Sequence, residues 1–156
     1  MAHPTYVGSS SSFSYKKVVV IDSNTDLQLR SEDSGCIFVI DVDVAADATI
    51  VYLLPKASET NVGCTFKFVL DGSPAEIIGI DRHADDDDNI FGCVASGDGA
   101  AGSASADSTA QETVNFIADA QKGDALELTL LGNGTDKWWQ LSGFANDGAH
   151  VTVATS

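Results

Sequence analysis

The sequence has few basic residues. Eight Lys and Arg stand against 23 Asp and Glu among 156 residues, so the formal net charge is −15. A surface of this sign repels phosphate groups, because affinity for nucleic acids comes from cationic side chains that release counterions. The anionic inner leaflet of a membrane is disfavoured for the same reason. The sequence therefore predicts neither a nucleic-acid partner nor a membrane partner.

Cysteine is scarce, and long apolar runs are missing. Cys36, Cys64 and Cys93 lie far apart and form no CxxC pair, the spacing typical of zinc sites and redox motifs. We expect them to be small apolar core residues of a protein made in a reducing compartment. No stretch approaches the roughly 18 apolar residues of a membrane-spanning helix, and the first residues lack the basic and apolar regions of a secretory signal.

The acidic residues are mostly of one kind, with 18 Asp against 5 Glu. Asp favours turns, whereas Glu is a good helix former, and the 14 Gly point the same way. A hydrophobic fraction of 44% excludes a disordered acidic tail, which combines high charge with low hydrophobicity. We expect one folded, loop-rich β domain, which the length also favours.

Short β-rich runs are separated by clusters of Asp, Gly, Ser and Asn, the pattern of an all-β protein. We predict an antiparallel β-sandwich, or a jelly-roll or barrel-like domain. Phe66, Phe68 and Leu70 alternate with outward residues, as do Leu126, Leu128 and Leu130. The predicted strands cover 17–21, 26–29, 36–44, 49–54, 65–70, 76–81, 113–118, 125–131 and 137–142. The run at 151–153 is either a final strand or a tail that docks on another subunit.

Two segments do not fit the strand pattern. Residues 1–14 form an extended N-terminal arm in this interpretation, and 15–156 form the single β domain. Within the domain, 82–110 holds an acidic run and a Gly/Ala/Ser-rich stretch, which predicts a long surface excursion. Its apolar insert, Asn89-Ile-Phe-Gly92, is expected to anchor it once.

Motifs for catalysis are weak. His3, His83 and His150 do not have metal-binding spacing. The stretch 97–102 matches GxGxxG, but no predicted strand leads directly into it and no helical pattern follows, so it is expected to be a loop. A GxSxG nucleophile motif is missing. We predict that the chain is not an enzyme and uses no cofactor.

The strongest polar cluster is the acidic run. A loop of carboxylates supplies the six to eight oxygens that calcium takes, but this one lacks the order of an EF-hand. A solvated acidic loop is the favoured interpretation, with calcium as the weaker one. The candidate ligands are Asp85, Asp86, Asp87 and Asp88.

The arm and one tryptophan are the candidate partner-binding residues. An apolar-aromatic arm can add a strand to a neighbour's sheet edge, and we place this clamp at 2–15. Trp138 faces away from Trp139 along its strand, so only one of the two indoles points into the core. We expect Trp138 to make an inter-subunit contact, with sugar stacking as the alternative. The arm residues proposed for binding are Tyr6, Val7, Phe13 and Tyr15.

A series of turns and core positions between Val44 and Phe144 resembles small virion proteins of tailed bacteriophages, many of them from cyanophages. The residues that carry the resemblance are Leu54-Pro55, Gly63 with Thr65-Phe66-Lys67-Phe68, Asp88-Asn89-Ile90-Phe91-Gly92, Lys122-Gly123-Asp124 with Leu126 to Leu130, Gly134, Trp139 and Ser142-Gly143-Phe144.

The resemblance implies a head decoration, or cement, protein. Such proteins commonly form trimers on the outer capsid surface, and their arms clamp neighbouring major capsid protein subunits. We therefore expect a virion protein, made in the host cytoplasm, with the major capsid protein and further copies of itself as partners.

Two other functions remain open. Similar β modules occur in tail fibres and spikes, so a module that binds a host-surface glycan is the alternative. An acidic DNA mimic would need carboxylates spaced like phosphates along one face. The carboxylates of this chain lie mainly in turns, which disfavours a mimic.

Overall fold

A computed structural model describes residues 17–21, 25–41, 49–84, 89–97 and 105–154, with the side chains of 105–110 excepted. The arm at 1–14 lies outside these residues. So do the candidate ligands Asp85 to Asp88.

The described residues form strands and two short 3-10 turns, in agreement with an all-β fold. The turns are Ser31–Asp33 and Gly148–His150. The strands are β1 (Val18–Ile21), β2 (Leu27–Gln28), β3 (Ile37–Ile40), β4 (Ile50–Leu53), β5 (Thr65–Leu70), β6 (Ile78–Asp81), β7 (Ile90–Ser96), β8 (Ser105–Gln111), β9 (Thr113–Phe116), β10 (Ala125–Gly132), β11 (Lys137–Ala145) and β12 (Val151–Ala154).

The strands build two packed sheets, which confirms the predicted sandwich. One sheet has seven strands in the order β1-β3-β5-β10-β11-β7-β8, and the other has five in the order β12-β9-β6-β4-β2. The last strand is part of the domain, because Val151–Ala154 pairs with β9. The apolar core lies between the sheets.

The expected antiparallel pairing is wrong for half of the strand pairs. Five of the ten ladders are parallel: β1–β3, β3–β5, β2–β4, β4–β6 and β7–β11. From β1 to β6 the chain alternates between the two sheets, so every second strand enters the same sheet in the same direction. Side-chain alternation is identical in parallel and antiparallel strands, and therefore the sequence pattern does not distinguish them.

The core follows the predicted alternation. Phe66, Phe68 and Leu70 are buried on β5, and so are Leu126, Leu128 and Leu130 on β10. An aromatic chain crosses the core, since the ring of Phe38 lies 5.5 Å from Phe68 and 6.5 Å from Phe66. It continues from Phe68 to Tyr52 and from Phe66 to Trp139. The strand predicted at 113–118 is shorter in the structure, since β9 ends at Phe116 and Ala118 is exposed.

A tight turn joins β10 and β11. Gly134 has a φ of +92°, a value that glycine adopts without steric cost. The side-chain oxygen of Asn133 accepts hydrogen bonds from the backbone N–H groups of Thr135 and Asp136. The turn joins two strands paired over eight residues.

The segment 82–110 is more ordered than the sequence predicts. It contains β7 and β8, and β7 pairs with β11 over seven residues. Ile90 and Val94 are buried, so the anchor extends along a whole strand. The Gly and Ala residues of this segment indicated a loop. Hydrogen bonds between strands join backbone groups, however, and need no large side chains. At Gly92 a Cβ would lie 2.0 Å from the carbonyl oxygen of Leu141, which explains a small residue there.

The three cysteines are free. Cys36 is buried as expected, whereas Cys64 is half-buried and Cys93 is exposed on β7. The expectation of a core position is therefore wrong for Cys93, which faces away from the core because it lies between the inward positions of its strand.

Candidate interaction surface

One side of the seven-stranded sheet faces away from the core, and we call it the outer face. It carries the alternate residues of β1, β3, β5, β10, β11 and β7. Strand register places six apolar residues of these strands side by side, in what we call the apolar row. Its members are Val20, Val39, Val69, Ala125, Phe144 and Ala95.

Several side chains of the outer face are unusually exposed for their type. Val18 is 58% exposed, Val20 60% and Phe144 46%. These three are among the six most exposed large hydrophobic residues in the described part of the chain. Contiguous exposed apolar side chains mark contact surfaces, because leaving them in water is unfavourable.

A second row lies beside the apolar row and contains the charged residues of the face. Lys67 and Glu127 are register neighbours there, and both are half-buried. Within the six strands that form the outer face, no other charged side chain points outward. Neither residue makes an ion pair with another described residue. In a chain with a net charge of −15, this is a nearly neutral surface.

Trp138 also lies on the outer face. It is the register partner of Leu131, at the hairpin end of β10 and β11, and is half-buried. Trp139 is fully buried on the opposite side, which confirms that only one indole enters the core. The inter-subunit contact of Trp138 stays a prediction. The apolar row was missed at the sequence level, because it appears only when the register of six strands is known.

Among the described residues, the closest approach to a catalytic arrangement is a buried carboxylate beside an imidazole. Asp124 Oδ2 lies 2.8 Å from His150 Nδ1 and accepts a hydrogen bond from the backbone N–H of Gln121. Asp124 Oδ1 accepts bonds from both the backbone N–H and the side-chain amide of Asn146, each at 2.7 Å. Asp124 is 0% exposed and His150 is 5% exposed.

The hydrogen bonds on Asp124 connect two loops. Asp124 precedes β10, whereas Asn146 and His150 lie between β11 and β12. Four donors converge on one carboxylate, and such charge-assisted hydrogen bonds are the strong ones. Because both side chains are closed off from solvent, we assign the pair a structural role. No local motif signals it, since 26 residues separate Asp124 from His150.

A second polar cluster lies at one end of the five-stranded sheet. Arg82 forms an ion pair with Glu112. Burial raises the pKa of Asp81, with smaller contributions from the nearby carboxylates of Asp26 and Glu112, while a hydrogen bond with Thr113 acts in the opposite direction. The Oδ1 atom of Asp81 is buried without a hydrogen-bond partner. The adjoining cavity measures about 290 Å³.

A groove of about 510 Å³ lies between the first 3-10 turn and the β4–β5 connection. His83 lines it beside Gln28, Pro55 and Asn61. Asn61 is buried and its side chain bonds to Ser58 and Lys56, which shapes the connection itself. The groove is polar and wide open, so it favours no particular ligand.

Several predicted sites lie outside the described residues. These are the arm residues Tyr6, Val7, Phe13 and Tyr15 and the calcium candidates Asp85, Asp86, Asp87 and Asp88. Within the described ranges, no three His, Cys, Asp or Glu side chains are grouped to hold a metal ion. No helix in those ranges is long and apolar enough to cross a membrane.

No protein-family model matches the chain, and no curated protein is similar to it. The functional interpretation therefore depends on the outer face and on the pattern of residues in the sequence.

Proposed function

We propose that the chain is a structural virion protein that binds the outer surface of a phage capsid and stabilises it by bridging major capsid protein subunits. The observation that carries this proposal is the outer face. A sheet surface with an apolar row across six strands is suited to protein contact rather than to contact with water. The resemblance to small phage virion proteins supplies the class of assembly.

The distribution of charge supports an outside position. Packaged DNA repels a chain with a net charge of −15, whereas on the outside like charge keeps particles apart in solution. The two charged residues of the outer face balance each other, so docking there buries no net charge.

In the sequence the arm directly precedes the domain. Residues 1–14 precede β1, and β1 is the edge strand of the seven-stranded sheet. An arm that starts at a sheet edge can reach a neighbouring subunit and pair with its backbone. We propose that Tyr6, Val7, Phe13 and Tyr15 are its anchoring side chains.

Stabilisation of the shell follows from linkage. A ligand that binds only the assembled state stabilises it by RT ln(1 + [L]/Kd), which is about 2.7 kcal/mol when the free ligand is at 100 times its Kd. A subunit that bridges several capsid proteins must be released before they separate. Capsids that carry the protein should therefore resist heat better than bare capsids.

The experiment is co-sedimentation with capsids assembled from the major capsid protein encoded in the same genome. We expect the full chain to sediment with the capsids and to raise their disassembly temperature. Deletion of 1–14 should reduce occupancy at least tenfold, while Lys56→Glu, a substitution away from the arm and the outer face, should leave it unchanged. Undiminished binding of the deletion variant contradicts the arm clamp, and no binding of the full chain contradicts the function.

The alternative is a tail fibre or spike module that binds a host-surface glycan. It is favoured by Trp138, a half-buried indole on the outer face, because aromatic rings stack on sugars. Saturable binding on a glycan array that Trp138→Ala abolishes would support this function against the capsid.

A further inference from the structure

We propose that a second copy of this chain covers the outer face. The two copies pack their seven-stranded sheets against each other about a two-fold axis that runs along the strands, between β5 and β10. The outer face also carries the proposed function, and a dimer that covers this face leaves the capsid contacts to the arm. The proposed dimer differs from the trimer that the resemblance implies, and the mass of the oligomer distinguishes a dimer from a trimer.

The apolar row is divided evenly by this axis. Val20, Val39 and Val69 lie on β1, β3 and β5, on one side of the axis. Ala125, Phe144 and Ala95 lie on β10, β11 and β7, on the other side. A two-fold rotation about the axis exchanges the two sides and keeps the height along the strands, so the row of one copy meets the row of the other.

In two of the three contacts of this pairing, a larger side chain of one copy faces a smaller one of the other. Val39 of one copy faces Phe144 of the other, Val69 faces Ala125, and Val20 faces Ala95. Ala125 and Ala95 leave room for the two valines that face them, whereas Val39 packs directly on the Phe144 ring. Such self-complementarity is what a two-fold interface requires, since the same patch serves on both subunits.

The charges of the face obey the same symmetry. Lys67 and Glu127 are register neighbours on β5 and β10, one on each side of the axis. Rotation places Lys67 of each copy opposite Glu127 of the other, which gives two ion pairs. Because neither residue has an ion-pair partner among the described residues, both charges are available. This reciprocal match favours a second copy over an unrelated partner.

The face is large enough for a stable contact. Six strands spaced about 4.8 Å apart make it about 25 to 30 Å wide, and strands with about 3.4 Å per residue make it about 20 Å long. The flat outline is then about 500 to 600 Å². Because side chains make the accessible surface larger than the outline, the face is of the order of the roughly 800 Å² that each partner buries in a standard interface.

Net charge opposes the pairing at long range. Each copy carries −15, and the repulsion acts over about 8 Å at physiological ionic strength but only about 3 Å at 1 M salt. We therefore expect added salt to strengthen dimerisation, even though it weakens the two ion pairs.

The mass of the chain in solution is the first test. Sedimentation equilibrium should give twice the 16.2 kDa of one chain, with tighter association in 0.5 M than in 0.1 M sodium chloride. A monomer at all concentrations up to about 1 mM, or a trimer, overturns the two-fold proposal. Co-sedimentation with capsids is measured separately, so that failure of this inference and failure of the capsid function are distinguishable.

A charge exchange tests the ion pairs. Lys67→Glu should weaken dimerisation about tenfold or more, because it brings four carboxylates together, and Lys67→Glu combined with Glu127→Lys should restore it. Lys56→Glu makes the same charge change away from the face and should leave the dimer intact. Circular dichroism confirms that each variant folds. Equal association of Lys67→Glu and the unsubstituted chain overturns the proposal.

A crosslink tests the geometry. Val18 and Cys93 belong to the same row, but β1 and β7 are five strand spacings apart, about 24 Å, within one chain. In the proposed dimer, Val18 of one copy faces Cys93 of the other. In a Cys64→Ser background, Val18→Cys should give a crosslinked dimer with a short bismaleimide, and Cys93→Ser should abolish it. A matched Ile77→Cys variant, exposed outside the outer face, should not crosslink. Failure of Val18→Cys to crosslink in a proven dimer overturns the proposed axis.

Discussion

His150 Nδ1 lies 2.8 Å from Asp124 Oδ2, and the Asp124 carboxylate is fully buried. The pair connects the turn before β10 to the segment between β11 and β12. Its strength comes from the convergence of four donors on Asp124, and its cost is the removal of a carboxylate from water. A buried group of this kind is stable only while its partners remain.

Replacing Asp124 should therefore be severe. Asp124→Ala leaves the donors of Gln121, Asn146 and His150 without their acceptor, and we expect a loss of about 3–5 kcal/mol in the free energy of unfolding. Urea denaturation measures it. Asp119→Ala, at an exposed turn position of the same loop, should cost less than about 0.5 kcal/mol. Equal effects of the two substitutions contradict the role assigned to Asp124.

Gly92 should tolerate no side chain. Its φ is +138°, and an added Cβ would lie 2.0 Å from the Leu141 carbonyl oxygen and 2.8 Å from the Gln140 side-chain nitrogen. Gly92→Ala should force β7 away from β11 and cost more than about 3 kcal/mol, beyond the range of most single substitutions. The control is Gly134→Ala, which has a positive φ but open space and should cost only about 1 kcal/mol. Thermal unfolding of both variants separates steric overlap from backbone strain.

Tyr52 carries a hydroxyl that the core does not satisfy. The side chain is 0% exposed, its oxygen has no hydrogen-bond partner, and burial raises its pKa to about 12. Tyr52→Phe should leave stability unchanged at pH 7 or increase it by about 1 kcal/mol, since it removes an unpaired polar group.

Tyr52→Phe should also change how the free energy of unfolding depends on pH in alkaline solution. A phenol whose pKa is raised by folding contributes stability below its ordinary pKa of 10.0 and loses it as the pH rises towards 12. Tyr52→Phe should flatten this loss between pH 10 and 12, as followed by urea midpoints. Tyr52→Leu also removes the ring stacked on Phe68 and should instead destabilise the protein at every pH.

Asp81 provides a second test of how stability depends on pH, in acidic rather than alkaline solution. Because burial raises the pKa of its carboxyl, folding favours the protonated form, and the stability from this group falls as the pH rises through the folded-state pKa. Asp81→Asn stays neutral and should gain about 0.5–1 kcal/mol at pH 7, a modest figure because the site is partly solvated. Below the ordinary carboxyl pKa of 3.8 the gain should vanish. A gain that does not depend on pH contradicts the assignment.

Local alternation was sufficient to predict the strands that flank the core. The runs at 65–70 and 125–131 alternate strictly, and their inward residues are buried as expected. Pairing direction was not predictable, because parallel and antiparallel strands share that alternation. β7 was missed because Gly92 and Ala95 resemble loop residues, although at Gly92 the ladder with β11 leaves no room for a side chain.

The sites could be predicted from the sequence less completely than the strands. Asp124 and His150 are far apart in the chain and meet only through the fold. The apolar row depends on register across six strands, so Val20, Val39 and Val69 each look like ordinary strand residues when taken alone. Trp138 was the exception, because its position beside a buried indole predicts that it faces away from the core.

Electron cryomicroscopy of the assembled particle tests the central claim most directly. The proposed function predicts density for this β-sandwich on the outside of the capsid shell, in contact with more than one major capsid protein subunit. Density confined to the tail, or particles that lack the chain altogether, would contradict it.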